Sequence, residues 1–216
     1  MIQLYHCVDA RSFRPLWALE ETGADYELRL LPFPPRVRAR DYLEINPLGT
    51  IPALFDGETR MTESAAMVEY ICVRYGAGKL AFATDHPSFG AFLNWLHFGE
   101  ATLTFPQTLM LRYARFEPPE RRQPQVAADY RKWFLARLNG VERALQSSEW
   151  LCDHRFSGAD ISVGYALLLA ESLHIQSDFP PNVAAYWERL QARDGFKRAK
   201  AAQAIAASEL GIGPTI

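Results

Sequence analysis

Cysteine is scarce in this chain: Cys7, Cys72 and Cys152 are the only three, and no two stand in a CxxC or zinc-ligand spacing. An odd, sparse count excludes a disulfide framework and fits a reducing compartment, so a cytoplasmic location is expected. The five histidines form no HxxxH pair, and no metal site is expected. No GxGxxG, phosphate-loop or GxSxG pattern occurs, which removes the commonest dinucleotide, nucleotide and serine-hydrolase readings. Long apolar runs are missing too. The longest, Val163 to Ala170, is far too short to span a bilayer, and the start, Met1 to His6, has no basic-then-apolar secretory pattern. Net charge is only -2 with basic residues scattered, so neither nucleic acid nor an anionic membrane is an expected partner.

What is present is an ordinary globular composition, 49% hydrophobic and 22% charged, over 216 residues, enough for two modest domains. Ile2 to Tyr5 reads as a buried strand. Ser12 opens a helix with Phe13, Leu16 and Trp17 on one face, ended by Gly23. Tyr26 to Leu31 reads as a second strand and Val37 to Ile45 as a short helix. Pro52 to Phe55 and Thr59 to Thr62 flank Asp56-Gly57 as a hairpin, and a helix follows from Glu63 to Tyr75. The order βαβαββα gives a parallel pair extended by antiparallel strands, an α/β domain over residues 1–76. The pattern lapses over 77–87, expected as a linker. Residues 88–216 read as all helical, with a long helix from Phe89 to Tyr113 kinked at Pro106, and a helix from Ile161 to Leu173 apolar on every side.

Three stretches carry the chemistry. In Asn46-Pro47-Leu48-Gly49-Thr50-Ile51-Pro52, the proline opens a strand after a glycine turn. That is a setting either for a cis bond presenting the Ile51 backbone to an extended peptide, or for an ordinary edge proline. Glu63-Ser64 starts a helix. Ser64 offers a hydroxyl and a helix N-terminal N–H to a carboxylate, while Glu63 offers charge to an ammonium; simple capping is the other reading. Ser157-Gly158-Ala159-Asp160 between Phe156 and Ile161 has the form of a capping box with a hydrophobic staple.

Taken together these stretches resemble the cytosolic glutathione transferases, over nearly the whole chain. The resemblance implies a thioredoxin-like N-terminal domain, an all-α C-terminal domain with a second-substrate pocket, and a homodimer. Glutathione enters as co-substrate, with no separate cofactor. It implies that Ile51 and Pro52 meet the cysteinyl backbone of glutathione and that Glu63 and Ser64 hold its γ-glutamyl end. Arg38 is a candidate for the glycyl carboxylate. Arg11-Ser12-Phe13-Arg14 is similar to a bacterial and fungal subgroup with a Ser-Arg-Ser-x-Arg start, with Ala10 in place of the first serine.

That departure removes the usual thiolate helper. The N-terminus of the first helix, Arg11 and Ser12 are the expected substitutes, with capping the other use of Ser12. Cys7 is either a mixed-disulfide thiol or packing. His97 and Glu100 stand at i, i+3 on the long helix, as cleft-lining or structural residues. Phe105, Met110 and Tyr113 are the expected second-substrate residues, suited to a small hydrophobic electrophile, with core packing as the alternative. The expected activity is transfer of glutathione to that electrophile in a detoxifying role. Glutathione-dependent disulfide reduction or thiol lysis, or a non-catalytic binding protein, are the rivals.

Overall fold

The structure, a computed structural model, describes residues 1–213. Strands β1 (Ile2–His6), β2 (Tyr26–Leu30), β3 (Ala53–Asp56) and β4 (Thr59–Met61) form one mixed sheet in the order β2-β1-β3-β4. β1 runs parallel to β2 and antiparallel to β3, with Tyr5 opposite Ala53. This is a thioredoxin-like sheet. In β1 burial alternates, so that Ile2, Leu4 and His6 are buried while Gln3 and Tyr5 are only partly covered, the period-2 signature of a sheet with unequal faces. Helices α1 (Phe13–Thr22) and α4 (Ser64–Tyr75) pack on each other. The expected helix over 37–45 is instead two single turns, α2 (Pro35–Arg38) and α3 (Tyr42–Ile45). Ala39, between them, has φ -140° and ψ 70°, outside the helical region, which interrupts the helix.

The chain divides into two compact units, one of Met1–Ala83 with the residues from Gln191 onward, the other of Thr84–Leu190. Helix α10 (Asp194–Leu210), which the sequence reading set with the helical half, packs on α1 in the first unit. Phe196 supplies the reason: its ring stands edge-on to Phe13 at 5.4 Å and Trp17 at 5.0 Å, burying the aromatic face of α1. Glu21 of α1 adds a two-pronged ion pair with Arg193, both bonds 2.7 Å, and accepts the Trp17 indole N–H.

In the second unit α5 (Phe89–His97) continues through a π-helical turn, Phe98–Thr104, into α6 (Phe105–Leu111) and a second π-helical turn, Arg112–Phe116. The first π-helical turn ends one residue before α6, and Pro106, which has no N–H to donate, lies in the first turn of that helix. Helix α7 (Pro124–Ala144) packs against α6, and α9 (Pro181–Ala192) follows α8 (Gly158–Ser172). As expected, α8 is the buried centre: every residue from Gly158 to Ala170 is buried. Gly99 allows the first π-helical turn to approach it, since a Cβ there would stand 2.5 Å from the backbone of Ser162. Ser162 Oγ donates to Leu96 O at 2.6 Å and Gln107 Nε2 to Ala166 O at 2.9 Å, tying the long helical run to α8. The capping box at Ser157 and Asp160 is formed.

Candidate active site

Two backbone features of the first unit expose recognition groups. The Ile51-Pro52 peptide bond is cis, and among the described residues neither the N–H nor the C=O of Ile51 has a hydrogen-bond partner. An unpaired N–H and C=O on one residue is the edge that an extended peptide backbone pairs with. The turn before it is locked from within. Asn46 donates to Thr50 O at 2.9 Å, and the Tyr42 hydroxyl donates to the same oxygen at 2.8 Å. Gly49 has φ 62°, and a Cβ there would meet Arg36 Cβ at 2.8 Å, so both conformation and space demand glycine.

Ser64 is the first residue of α4 and is almost fully buried. Its hydroxyl accepts a 3.2 Å hydrogen bond from Arg14 Nη1. Arg14, on α1, is wholly buried, and sequence reasoning left it out of the site. A serine hydroxyl, the unpaired N–H groups that open a helix and a buried guanidinium together favour a carboxylate. Glu63, one residue earlier, is exposed, as a partner for an ammonium group would be. The sequence signal for Arg14 was its place at the end of the Arg11-Ser12-Phe13-Arg14 stretch. Arg38 ends α2 and is exposed, and among the described residues its side chain has no hydrogen bond or ion pair.

The loop from β1 into α1 corrects the reading of Ser12. Its hydroxyl donates to Cys7 O at 3.3 Å and accepts from Cys7 N–H at 3.1 Å, and the residue is fully buried. Ser12 therefore closes the loop upon itself and does not reach outward as a donor to a sulfur. Arg11 beside it is only partly covered. Cys7 is fully buried and burial pushes its thiol up to about 12, so it is a packing residue and no ready nucleophile. Burial likewise raises Cys72 and Cys152.

His6, the last residue of β1, is fully buried. Gln203 of α10 donates its amide N–H to Asp9 Oδ1 at 2.7 Å, so its carbonyl oxygen accepts from His6 Nε2, 3.0 Å away. Desolvation lowers the His6 pKa to about 4 from 6.5. Because the unfolded chain then binds the proton first, stability contributed by neutral His6 is present above pH 6.5 and is lost as pH falls toward 4. That window is worth about 3 kcal/mol. Asp160, raised by burial to about 6, works in the opposite sense between pH 6 and 4. Urea midpoints measured from pH 7 to 4 should therefore fall more steeply in the wild type than in His6→Asn, a comparison in which the Asp160 contribution cancels. Parallel curves would show that His6 is not the group responsible.

Of the second-substrate candidates, Phe105 is 56% exposed while Met110 and Tyr113 are partly covered. None of the three is a fully packed core residue. His97 and Asn94 border a cavity on the surface of the second unit, with Leu93, Phe98, Ala101 and Thr102.

Residues 10–74 match the family model of the glutathione S-transferase N-terminal domain. The chain is 30% identical over 181 residues to a probable glutathione S-transferase, GSTF2, of Oryza sativa subsp. japonica, covering 81% of this chain and 84% of that one. It is 26% identical over 207 residues to glutathione S-transferase GstA of Escherichia coli O157:H7, covering 94% of this chain and all (100%) of the relative. A solved sphingomonad glutathione S-transferase, complexed with glutathione, superposes with a TM-score of 0.81 at 25% identity, covering 94% of this chain and 98% of that one.

Proposed function

The chain belongs to the glutathione S-transferase family, and on that premise we propose that it conjugates glutathione, through its thiolate, to a small hydrophobic electrophile. The observation that carries the binding half is the Arg14-Ser64 pair at the start of α4, with the unpaired Ile51 backbone as the second contact. In this reading Ile51 and Pro52 hold the cysteinyl backbone. Ser64 and the α4 N-terminus take the γ-glutamyl carboxylate, Glu63 the adjoining ammonium, and Arg38 the glycyl carboxylate. With Ser12 committed to its own loop, thiolate stabilisation passes to Arg11 and the positive end of α1. The thiolate attacks the electrophilic carbon, a carbon–sulfur bond forms, and the leaving group departs with its electron pair or, in an addition, a proton is taken from solvent. Phe105, Met110 and Tyr113 are proposed to meet the apolar body of the electrophile. A homodimer, a cytoplasmic location and a detoxifying role belong to the same proposal. The buried, high-pKa thiol of Cys7 weighs against a mixed-disulfide reductase.

The test is calorimetric titration of glutathione into the wild type and Ser64→Ala. Loss of a hydrogen bond to a charged group corresponds to roughly 10-fold to 100-fold weaker binding in the variant. Conjugation above a no-enzyme control, reduced in Ser64→Ala, then separates a transferase from a scaffold. Equal affinity in the two proteins would remove Ser64 from the site, and no binding by the wild type would end the transferase reading.

A further inference from the structure

The loop that carries Arg11 also carries Asp9, a carboxylate on the stretch where the proposed function sets the thiolate. Asp9 has a positive φ of 53°, so its backbone occupies the left-handed region that a non-glycine residue takes only when something holds it there. What holds it comes from α10, far along the chain. Lys200 Nζ reaches both carboxylate oxygens, at 2.8 and 3.0 Å, and Gln203 Nε2 donates to Oδ1 at 2.7 Å. Gln203 Oε1 in turn accepts the Asp9 N–H at 3.1 Å and pairs with His6 Nε2 at 3.0 Å. One buried amide thus ties the side chain of Asp9, its backbone and the end of β1 together.

His6 from β1 and Lys200 with Gln203 from α10 face Asp9, and Arg11 stands two residues on in the same loop; His6 is neutral near pH 7. Lys200 is the formal counter-charge that α10 brings to Asp9. From this geometry we infer that Lys200 and Gln203 are positioning residues for thiol activation. Lys200 cancels the negative charge of Asp9, and Gln203 fixes the loop so that Arg11 and the N-terminus of α1 face the bound sulfur. The inference rests on the glutathione reading above and gives the last helix a part in it.

Three variants test it. Lys200→Met takes the Lys200 cation away from Asp9, which disfavours the neighbouring thiolate. With a chlorodinitrobenzene as electrophile, kcat/KM at pH 6.5 should fall about 10-fold and converge on the wild type at high pH. Ultraviolet titration of the thiolate in the glutathione complex should show the matching rise in its pKa. Lys200→Arg, which keeps the cation, should restore the wild-type profile. An unchanged profile in Lys200→Met, or a fall equal at every pH, would overturn the inference. In the ligand-free protein Gln203→Leu should speed amide exchange at Asp9, and unchanged exchange would overturn the clamp itself. Wild-type protein that binds no glutathione fails the underlying transferase reading, a result read separately from all three variants.

Discussion

Asp160→Ala is expected to cost about 4 kcal/mol of folding stability, and Asp160→Asn roughly half of that. The carboxylate is fully buried and accepts four hydrogen bonds. Leu151 N–H reaches Oδ1 at 3.1 Å and the Tyr186 hydroxyl reaches it at 2.8 Å. Ser157 N–H and its hydroxyl reach Oδ2 at 2.8 and 3.1 Å. Alanine leaves two backbone N–H groups without partners in a site closed to water, and each such orphan costs ~1–3 kcal/mol. Removing the carboxylate also relieves its desolvation, the force that raises its pKa to about 6, and so trims the loss. Asparagine keeps one oxygen, and the hydroxyl on the side of the amide nitrogen can turn to accept, which leaves a single N–H facing an amide donor. Urea unfolding at pH 7 measures the difference, and a midpoint within error of the wild type for Asp160→Ala would refute it. The site lies at the head of the most buried helix, so the effect should appear as global unfolding and not as fraying.

Arg14→Met is expected to weaken glutathione roughly 10-fold to 100-fold. Methionine matches much of the arginine stem in shape but takes the positive charge away from the start of α4. The proposed γ-glutamyl carboxylate then faces only the Ser64 hydroxyl and the helix N–H groups. A competition titration with cysteinylglycine, which has no γ-glutamyl group, supplies the control: its affinity should be nearly the same in wild type and variant. An equal loss for both ligands would mean that Arg14 acts through general damage to the domain and not through the carboxylate. Together with Ser64→Ala the variant also forms a double-mutant cycle. Because the two side chains touch, the combined loss should fall short of the sum.

Local pattern was enough to determine a good deal of this protein. The short apolar run Ile2 to Tyr5, the turn Asp56-Gly57 and the apolar run around Val163 follow from neighbours a few residues apart, and the sheet and the central helix formed where those patterns stand. The capping box at Ser157 is legible for the same reason, since its two partners are three residues apart. Local too are the Asn46 to Pro52 turn and the serine opening α4, which is why both candidate stretches could be named from sequence. Tertiary structure decided what those residues face. Ser12 read as a cap of the first helix or a donor to the sulfur, but the return of the loop onto Cys7 consumed its hydroxyl. Arg14 read only as part of the Arg11 to Arg14 stretch, until α4 packed on α1 and set its guanidinium on Ser64, 50 positions away. Asp9 stands in a local stretch that names no partner for it, and its partners lay 191 and 194 positions downstream in Lys200 and Gln203. Periodicity reports which side of an element is apolar; which buried polar group meets which depends on packing between elements distant in sequence, and no local pattern encodes it.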